Sequence, residues 1–236
     1  MNETSASRAD SGRALVWDAP VRVFHWLMVL CFAGAWLTAE SERFRLLHVT
    51  LGYTMAGLVG FRILWGLVGT RYARFMSFLP TPAAVTRYVG SIVKGRPEHH
   101  VGHNPVGSLG IVAMLLLTLV VVATGWANYN DIAGGRMEEI HEGAASLFLA
   151  VVVVHVVGVV AGSMLHRENL VAAMVSGVKK AAAGEGIRSA WRTVAIVLML
   201  AVGGFWWSEW QSARVDGAPA AVAAATQDRK VAHDHD

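Results

Sequence analysis

Cysteine is nearly absent. Of 236 residues only Cys31 carries a thiol, and it lies inside an apolar run. That excludes an intramolecular disulfide and a Cys-rich zinc or iron–sulfur site, and with no Cys-x-x-Cys-His it also excludes covalently attached haem. Charge is scarce as well: Asp, Glu, Lys and Arg make up 16%, against about 25% in an ordinary soluble domain. Apolar residues fill the gap at 54%, with 24 glycines besides, and the mean hydropathy is +0.44. This balance argues against a water-soluble globule, a disordered chain and a collagen-like one.

Five stretches between the charges are long enough to cross a bilayer, which needs about 20 mostly apolar residues per helix. Residues 23–39 carry no formal charge, and the run between Arg45 and Arg71 is broken only by Arg62. The third, between His103 and Asp131, contains MLLLTLVVVATGW, and the fourth runs from Gly143 to Leu165. Its valines do not argue for strand, because the run far exceeds strand length. The fifth, Thr193 to Ser208, extends back through Ala190 and Trp191 if Arg192 snorkels, and its Trp206, Trp207 and Trp210 suit an interfacial belt. Helices satisfy their own backbone hydrogen bonds, as hydrocarbon requires, so the expected fold is an all-α integral membrane helical bundle.

Lys and Arg in the connections set the orientation. Segments 1–22, 70–104 and 166–192 hold 13 basic and 6 acidic residues, whereas 39–46, 128–142 and 209–236 hold 6 basic and 11 acidic. The alternation is the same at every crossing. It puts the N-terminus in the cytoplasm and the C-terminus in the periplasm, leaves the outer face acidic, and accounts for the basic pI without nucleic acid. The polar start, MNETSASRADSGR, lacks a cleavable-signal layout, so the first span is expected to be retained. The resulting organisation is a cytoplasmic segment 1–20, a four-helix core 21–180, a fifth transmembrane helix 181–210 and a flexible periplasmic tail 211–236.

Ionisable side chains inside a span require a partner or a purpose. His25 lies early in span one, His48 early in span two, His141 at the start of span four and His155 in its middle. At 100° and 1.5 Å per residue, the 14-residue spacing leaves His141 and His155 about 40° apart around the helix and about 21 Å apart along it. Depth then pairs His25 with His155 on the inner side and His48 with His141 on the outer side. A bare zinc or copper ion would want a third or fourth ligand, and no Cys, Asp or Glu lies at the depth of His25 and His155. Iron in a porphyrin needs only two axial ligands, so two imidazoles complete it, and a bundle core is where such a cofactor fits. Gly52, one turn after His48, and Gly158, three residues after His155, offer the missing side-chain volume a porphyrin needs; Gly-rich faces also simply let helices approach.

At this point the sequence resembles the bacterial cytochrome b561 family, which includes the b-type subunits of nickel–iron hydrogenases. The resemblance rests on WDAPVRVFHW at Trp17–Trp26, LLHVTLGYTMAGLVGFRILWGLVGTRYARF at Leu46–Phe75, HNPVG at His103–Gly107, the 14-residue histidine spacing and HRENL at His166–Leu170. It implies a four-helix core with two non-covalent b-type haems, ligated by His25 with His155 and by His48 with His141. It also implies electron transfer between the quinone pool and a partner such as a periplasmic c-type cytochrome or redox enzyme. The fifth span and the tail depart from the pattern.

Arg22, Arg62 and Arg167 are candidates to neutralise haem propionates, guanidinium being the bidentate partner of carboxylate; as residues toward the inner side they also read as positive-inside anchors. His99, His100 and His103 read as part of a solvated basic loop, and His233 and His235 as tail. Three functions remain: a dihaem cytochrome linking quinone to a periplasmic partner, the cytochrome b anchor of a hydrogenase-like complex, and a histidine-lined metal or proton transporter. The two depth-separated histidine pairs and the near absence of carboxylates within the spans speak against the last. Expected partners are membrane lipid, quinone and the redox protein, with a second copy of the chain admissible.

Overall fold

The computed structural model describes residues 12–233, with side chains through Arg214. Residues 1–11 and His235 lie outside the described residues, as does the side chain of His233.

Asp18 starts the first helix, α1 (Ala19–Thr38): its Oδ1 accepts from Val21 N at 2.8 Å, and Pro20 occupies the first turn, where its missing N–H costs nothing. A 3-10 turn leads into α2 (Arg45–Val68), which stops at Gly69. Thr81 caps the short amphipathic α3 (Pro82–Val93), and Asn104 caps α4 (Pro105–Tyr129) by accepting from Gly107 N at 2.7 Å. Then follow α5 (Gly135–Leu165), α6 (Leu170–Ser176) and α7 (Arg192–His233). Helices α1, α2, α4, α5 and the Arg192–Arg214 part of α7 are long and apolar enough to span a membrane. The chain forms two compact units, the first ending at Ala195 and the second beginning at Ile196.

In the first unit α1 packs along α2, α2 along α4, and α4 along α5. Helix α2 is the central one and buries Met55, Leu58, Val59 and Trp65. Thr50, Thr54 and Thr118 are buried as well, each hydroxyl donating to the carbonyl four residues back at 2.7–2.8 Å, so none of these three hydroxyls is stranded in its apolar surround. The opposite faces are apolar yet uncovered: Leu37, Leu64, Val68, Val154 and Val157 are exposed. Such a surface is stable only against hydrocarbon. This is a multi-pass membrane bundle.

The end of the bundle where α1 begins, called proximal below, is closed by a collar. Strand β1 (Arg13–Leu15) pairs antiparallel with β2 (Val178–Lys180), with Ala14 opposite Lys179. Val16 N and Trp17 N both donate to Gly177 O, at 2.8 and 3.0 Å. Gly177 has φ +84°, and a Cβ there would sit 2.6 Å from Trp17 O, so both conformation and closeness demand glycine. Tyr72 Oη donates to Glu185 O at 2.7 Å, and buried Lys179 binds Glu168 at 3.7 Å and His100 O at 3.3 Å.

The five spans fall where the sequence reading expects them, with three differences of detail. Helix α5 begins eight residues before Gly143, because a helix running beyond the bilayer tolerates Glu138, Glu139 and Glu142. Helix α7 starts at Arg192, not Ala190, since Trp191 adopts φ +52° and cannot be helical. It then continues to His233 through the segment expected as a tail, whose many alanines favour helix. The two three-residue strands are an addition to an otherwise helical chain.

Candidate functional site

The distal pair is formed by the second turn of α5 and the first turn of α2. The rings of His48 and His141 have centroids 6.1 Å apart and stand nearly perpendicular, at 78°. With its proton on Nδ1, His48 donates to Ala35 O of α1 at 2.8 Å, and His141 donates in the same way to Val121 O of α4 at 2.9 Å. Thr124 Oγ1 lies 3.3 Å from the same His141 nitrogen. Both rings are thus fixed by a backbone carbonyl through Nδ1, which leaves Nε2 of each free to bind. Metal-ligating histidines are oriented by the same arrangement. The ring separation is that required by two metal–nitrogen bonds of about 2 Å each once the ring radii are added.

Gly125 of α4 makes room for this geometry. A Cβ at that position would lie 2.8 Å from His141 Cε1 and 3.1 Å from Nδ1. The sequence reading missed Gly125, although its place in the Thr124-Gly125-Trp126 interruption of an aliphatic run was the available signal.

At the proximal end His25 of α1 and His155 of α5 are electrostatic neighbours. His25 Nδ1 is shielded from solvent with no hydrogen-bond partner in the protein. An orphaned imidazole nitrogen at membrane depth calls for a ligand. Among the described residues no group of three or more His, Cys, Asp or Glu could hold a metal ion, so neither pair completes a bare metal site. Two nitrogens at each level do suffice for an iron that brings four of its own. Gly52 and Gly158 both border open space: a Cβ on either would meet nothing within 4 Å.

The three arginines separate. Arg22 is committed elsewhere, its guanidinium donating to Val175 O at the end of α6 and to Asp18 O. Arg167 is exposed just beyond α5, with φ +48°. Arg62 alone is buried, 3% exposed, and its Nη1 has no partner.

Two proximal residues gain importance that the sequence reading did not give them. Asp18 is 1% exposed and ties α1 to the end of α2: its Oδ2 accepts from Trp65 Nε1 at 3.0 Å and Thr70 Oγ1 at 2.6 Å, while Oδ1 caps α1. His103 is not a solvated loop residue. Its ring is held between Trp17 at 4.5 Å and Phe78 at 4.8 Å, and its Nδ1 is shielded without a partner. Burial, then Arg62, Lys179 and His155, push this imidazole down to about 3. His99 stays at the loop surface near His166, whereas His100 is half-buried beside Tyr88, its shielded Nε2 3.6 Å from Glu98.

The sequence also resembles known proteins. The profile of the prokaryotic cytochrome b561 family matches residues 16–177. Among curated proteins, the probable Ni/Fe-hydrogenase 1 B-type cytochrome subunit of Escherichia coli (strain K12) is 29% identical over 142 residues, covering 49% of this chain and 60% of the relative. The probable Ni/Fe-hydrogenase B-type cytochrome subunit of Rhizobium leguminosarum bv. viciae is 25% identical over 228 residues, covering 75% and 95%, and that of Cupriavidus necator is 26% identical over 226 residues, covering 75% and 92%. The chain therefore spans about 60% of the length of the Escherichia coli relative. No solved structure gives a significant match.

Proposed function

Because the chain belongs to the prokaryotic cytochrome b561 family and is thereby a membrane b-type cytochrome, we propose that it carries two haems b and serves as the membrane cytochrome of a hydrogenase-type redox complex. In this role it passes electrons between an iron–sulfur partner subunit and the quinone pool. The observation that carries the haem assignment is the distal pair, with two imidazoles 6.1 Å apart and each Nδ1 bound to a carbonyl. His48 and His141 hold the distal haem, His25 and His155 the proximal one, and Gly52 and Gly158 leave space beside them. Arg62 is the arginine placed to meet a propionate; Arg22 and Arg167 serve the proximal surface instead.

Held by His48 with His141 and by His25 with His155, the haems would supply one-electron transfer. The residues of this chain do the rest. The carbonyls of Ala35 and Val121 lock ring orientation, the apolar faces of α1, α2, α4 and α5 exclude water, and the 21 Å rise from His141 to His155 makes a route across most of the bilayer. The basic proximal connections favour a cytoplasmic proximal end in a bacterial inner membrane, with the C-terminus periplasmic.

The partner class follows from the relatives, which are hydrogenase subunits by name. A route to a soluble periplasmic c-type cytochrome is the second reading, favoured by the acidic distal connections. Salt separates the two. A bound iron–sulfur subunit is expected to co-purify at high ionic strength, whereas electron transfer to a steered soluble cytochrome slows steeply as salt rises. A pyridine haemochrome assay should give two haems per chain, reducible by a quinol analogue. A colourless protein from haem-replete cells would end the proposal, and haems that no quinol reduces and no quinone oxidises would remove the quinone from it.

Gly125 gives an independent check on the distal site. Gly125→Val is expected to displace the His141 ring at a cost of about 1–3 kcal/mol, the usual range for overpacking. The distal haem should turn high-spin or be lost while the proximal spectrum stays unchanged, as read by electron paramagnetic resonance.

A further inference from the structure

Beyond the histidine pairs, the proximal end holds a buried polar cluster that the protein itself does not satisfy. Arg62 is 3% exposed, lies over Phe75 at 5.0 Å and Phe78 at 5.8 Å, and leaves Nη1 without a partner. Phe78 also forms one wall of the slot that clamps His103, whose Nδ1 is likewise shielded and unpartnered. The carboxylate that Arg62 feels is Asp18, but both Asp18 oxygens are already occupied by Val21 N, Trp65 Nε1 and Thr70 Oγ1. The other nearby cation, Lys179, has Glu168 and the His100 carbonyl. His100 Nε2 faces Glu98 at 3.6 Å, which leaves Arg62 Nη1 and His103 Nδ1 with neither a hydrogen-bond acceptor nor a carboxylate of their own.

Such groups are rarely abandoned in a native protein, because a buried unpaired charge is strongly destabilising. The missing partner must be anionic and able to accept from a guanidinium fork and a single N–H at once. A carboxylate meets both requirements. Its source is indicated by position: His25 lies in the second turn of α1 and Arg62 in the second turn from the end of α2, so the cluster and the proximal pair share one end of the bundle, and His155 acts electrostatically on both His25 and His103.

We infer that His103 and Arg62 together clamp a propionate of the proximal haem, with His103 donating one neutral hydrogen bond through Nδ1 and Arg62 supplying the counter-charge. The inference rests on the dihaem reading above and gives a role to a histidine outside the ligand set. His103 is a positioning residue: it fixes the edge of the porphyrin and, by withdrawing charge from the carboxylate, favours the electron-loaded state.

The test uses the full haem-loaded chain in detergent and reads the resonance Raman propionate-bending band and the midpoint potentials from a spectroscopic redox titration. His103→Phe keeps the aromatic sandwich and removes the nitrogens; His103→Gln returns a side-chain N–H. In His103→Phe the bending band should move to lower frequency and one of the two redox waves should fall in potential, the other staying in place. His103→Gln should recover most of both. The same wave should fall in Arg62→Leu. In a His48→Ala background, which retains only the proximal haem, the His103→Phe shift should persist. A dihaem His103→Phe variant with unmoved band and potentials overturns the clamp. Loss of the proximal haem in both His103 variants also overturns it, since that outcome marks a packing role. Loss in His103→Phe with retention in His103→Gln supports it. A parent chain with fewer than two haems refutes the dihaem reading instead, so the two failures are distinguishable.

Discussion

Alanine at His48 or His141 is expected to leave one haem per chain and abolish the distal spectral component; alanine at His25 or His155 should abolish the proximal one. The pairing is the sharp part of this expectation. The four variants should fall into two spectroscopically identical classes, since either member of a pair removes the same centre. The ring geometry explains why the effect should be total. Each Nδ1 of the distal pair is committed to a carbonyl, and among the described residues no third ligand stands by to take the place of a lost imidazole. A single remaining histidine gives a five-coordinate iron, which is high-spin and weakly held. Haem-to-protein stoichiometry and the reduced-minus-oxidised spectrum check it. Full pigment in any of the four, or four distinct spectra, would break the assignment.

Asp18→Ala is expected to have the largest effect of any substitution outside the histidines. It removes a buried acceptor shared by a helix N-terminus, an indole and a hydroxyl, and it strands Trp65 Nε1 and Thr70 Oγ1 in a dry surround. It also takes away the carboxylate nearest in electrostatic effect to Arg62. Loss of a charged acceptor with several partners puts the destabilisation at roughly 3–5 kcal/mol. His25 sits two turns into the helix that Asp18 anchors, so the proximal haem should be lost at a lower temperature than the distal one. Asp18→Asn retains one acceptor oxygen and should fall between. Thermal melts followed separately at the two haem signatures measure the difference; equal loss of both would show that Asp18 stabilises the bundle as a whole and not the proximal site.

The parts legible in the sequence are those the bilayer dictates. Long uncharged runs can only be helices in hydrocarbon, so α1, α2, α4 and α5 follow from composition. What escaped was written in short or non-periodic segments. Three residues, Arg13–Leu15, carry no readable strand pattern, and their partner lies more than 160 residues onward. His103 looked solvated because its neighbours are Glu98, His99 and His100, yet Trp17 and Phe78, remote in sequence, enclose it. Asp18 read as one letter of a motif, whereas its work is done by Trp65 and Thr70 at the other end of α2. In each case the deciding contact is long-range, and local pattern holds no trace of it.

The β1–β2 pairing also dictates the order in which the molecule is assembled. β1 leaves the ribosome first, but β2 emerges some 165 residues later, which at about 5–20 residues per second is roughly ten to thirty seconds. Until then the latch cannot shut, and Trp17, which forms one side of the His103 slot, has no Gly177 carbonyl to hold it. The proximal collar thus stays open on the water side throughout synthesis of all four core helices and closes only once Gly177 and Val178–Lys180 emerge. On the two-haem proposal, that interval is when the proximal haem would enter.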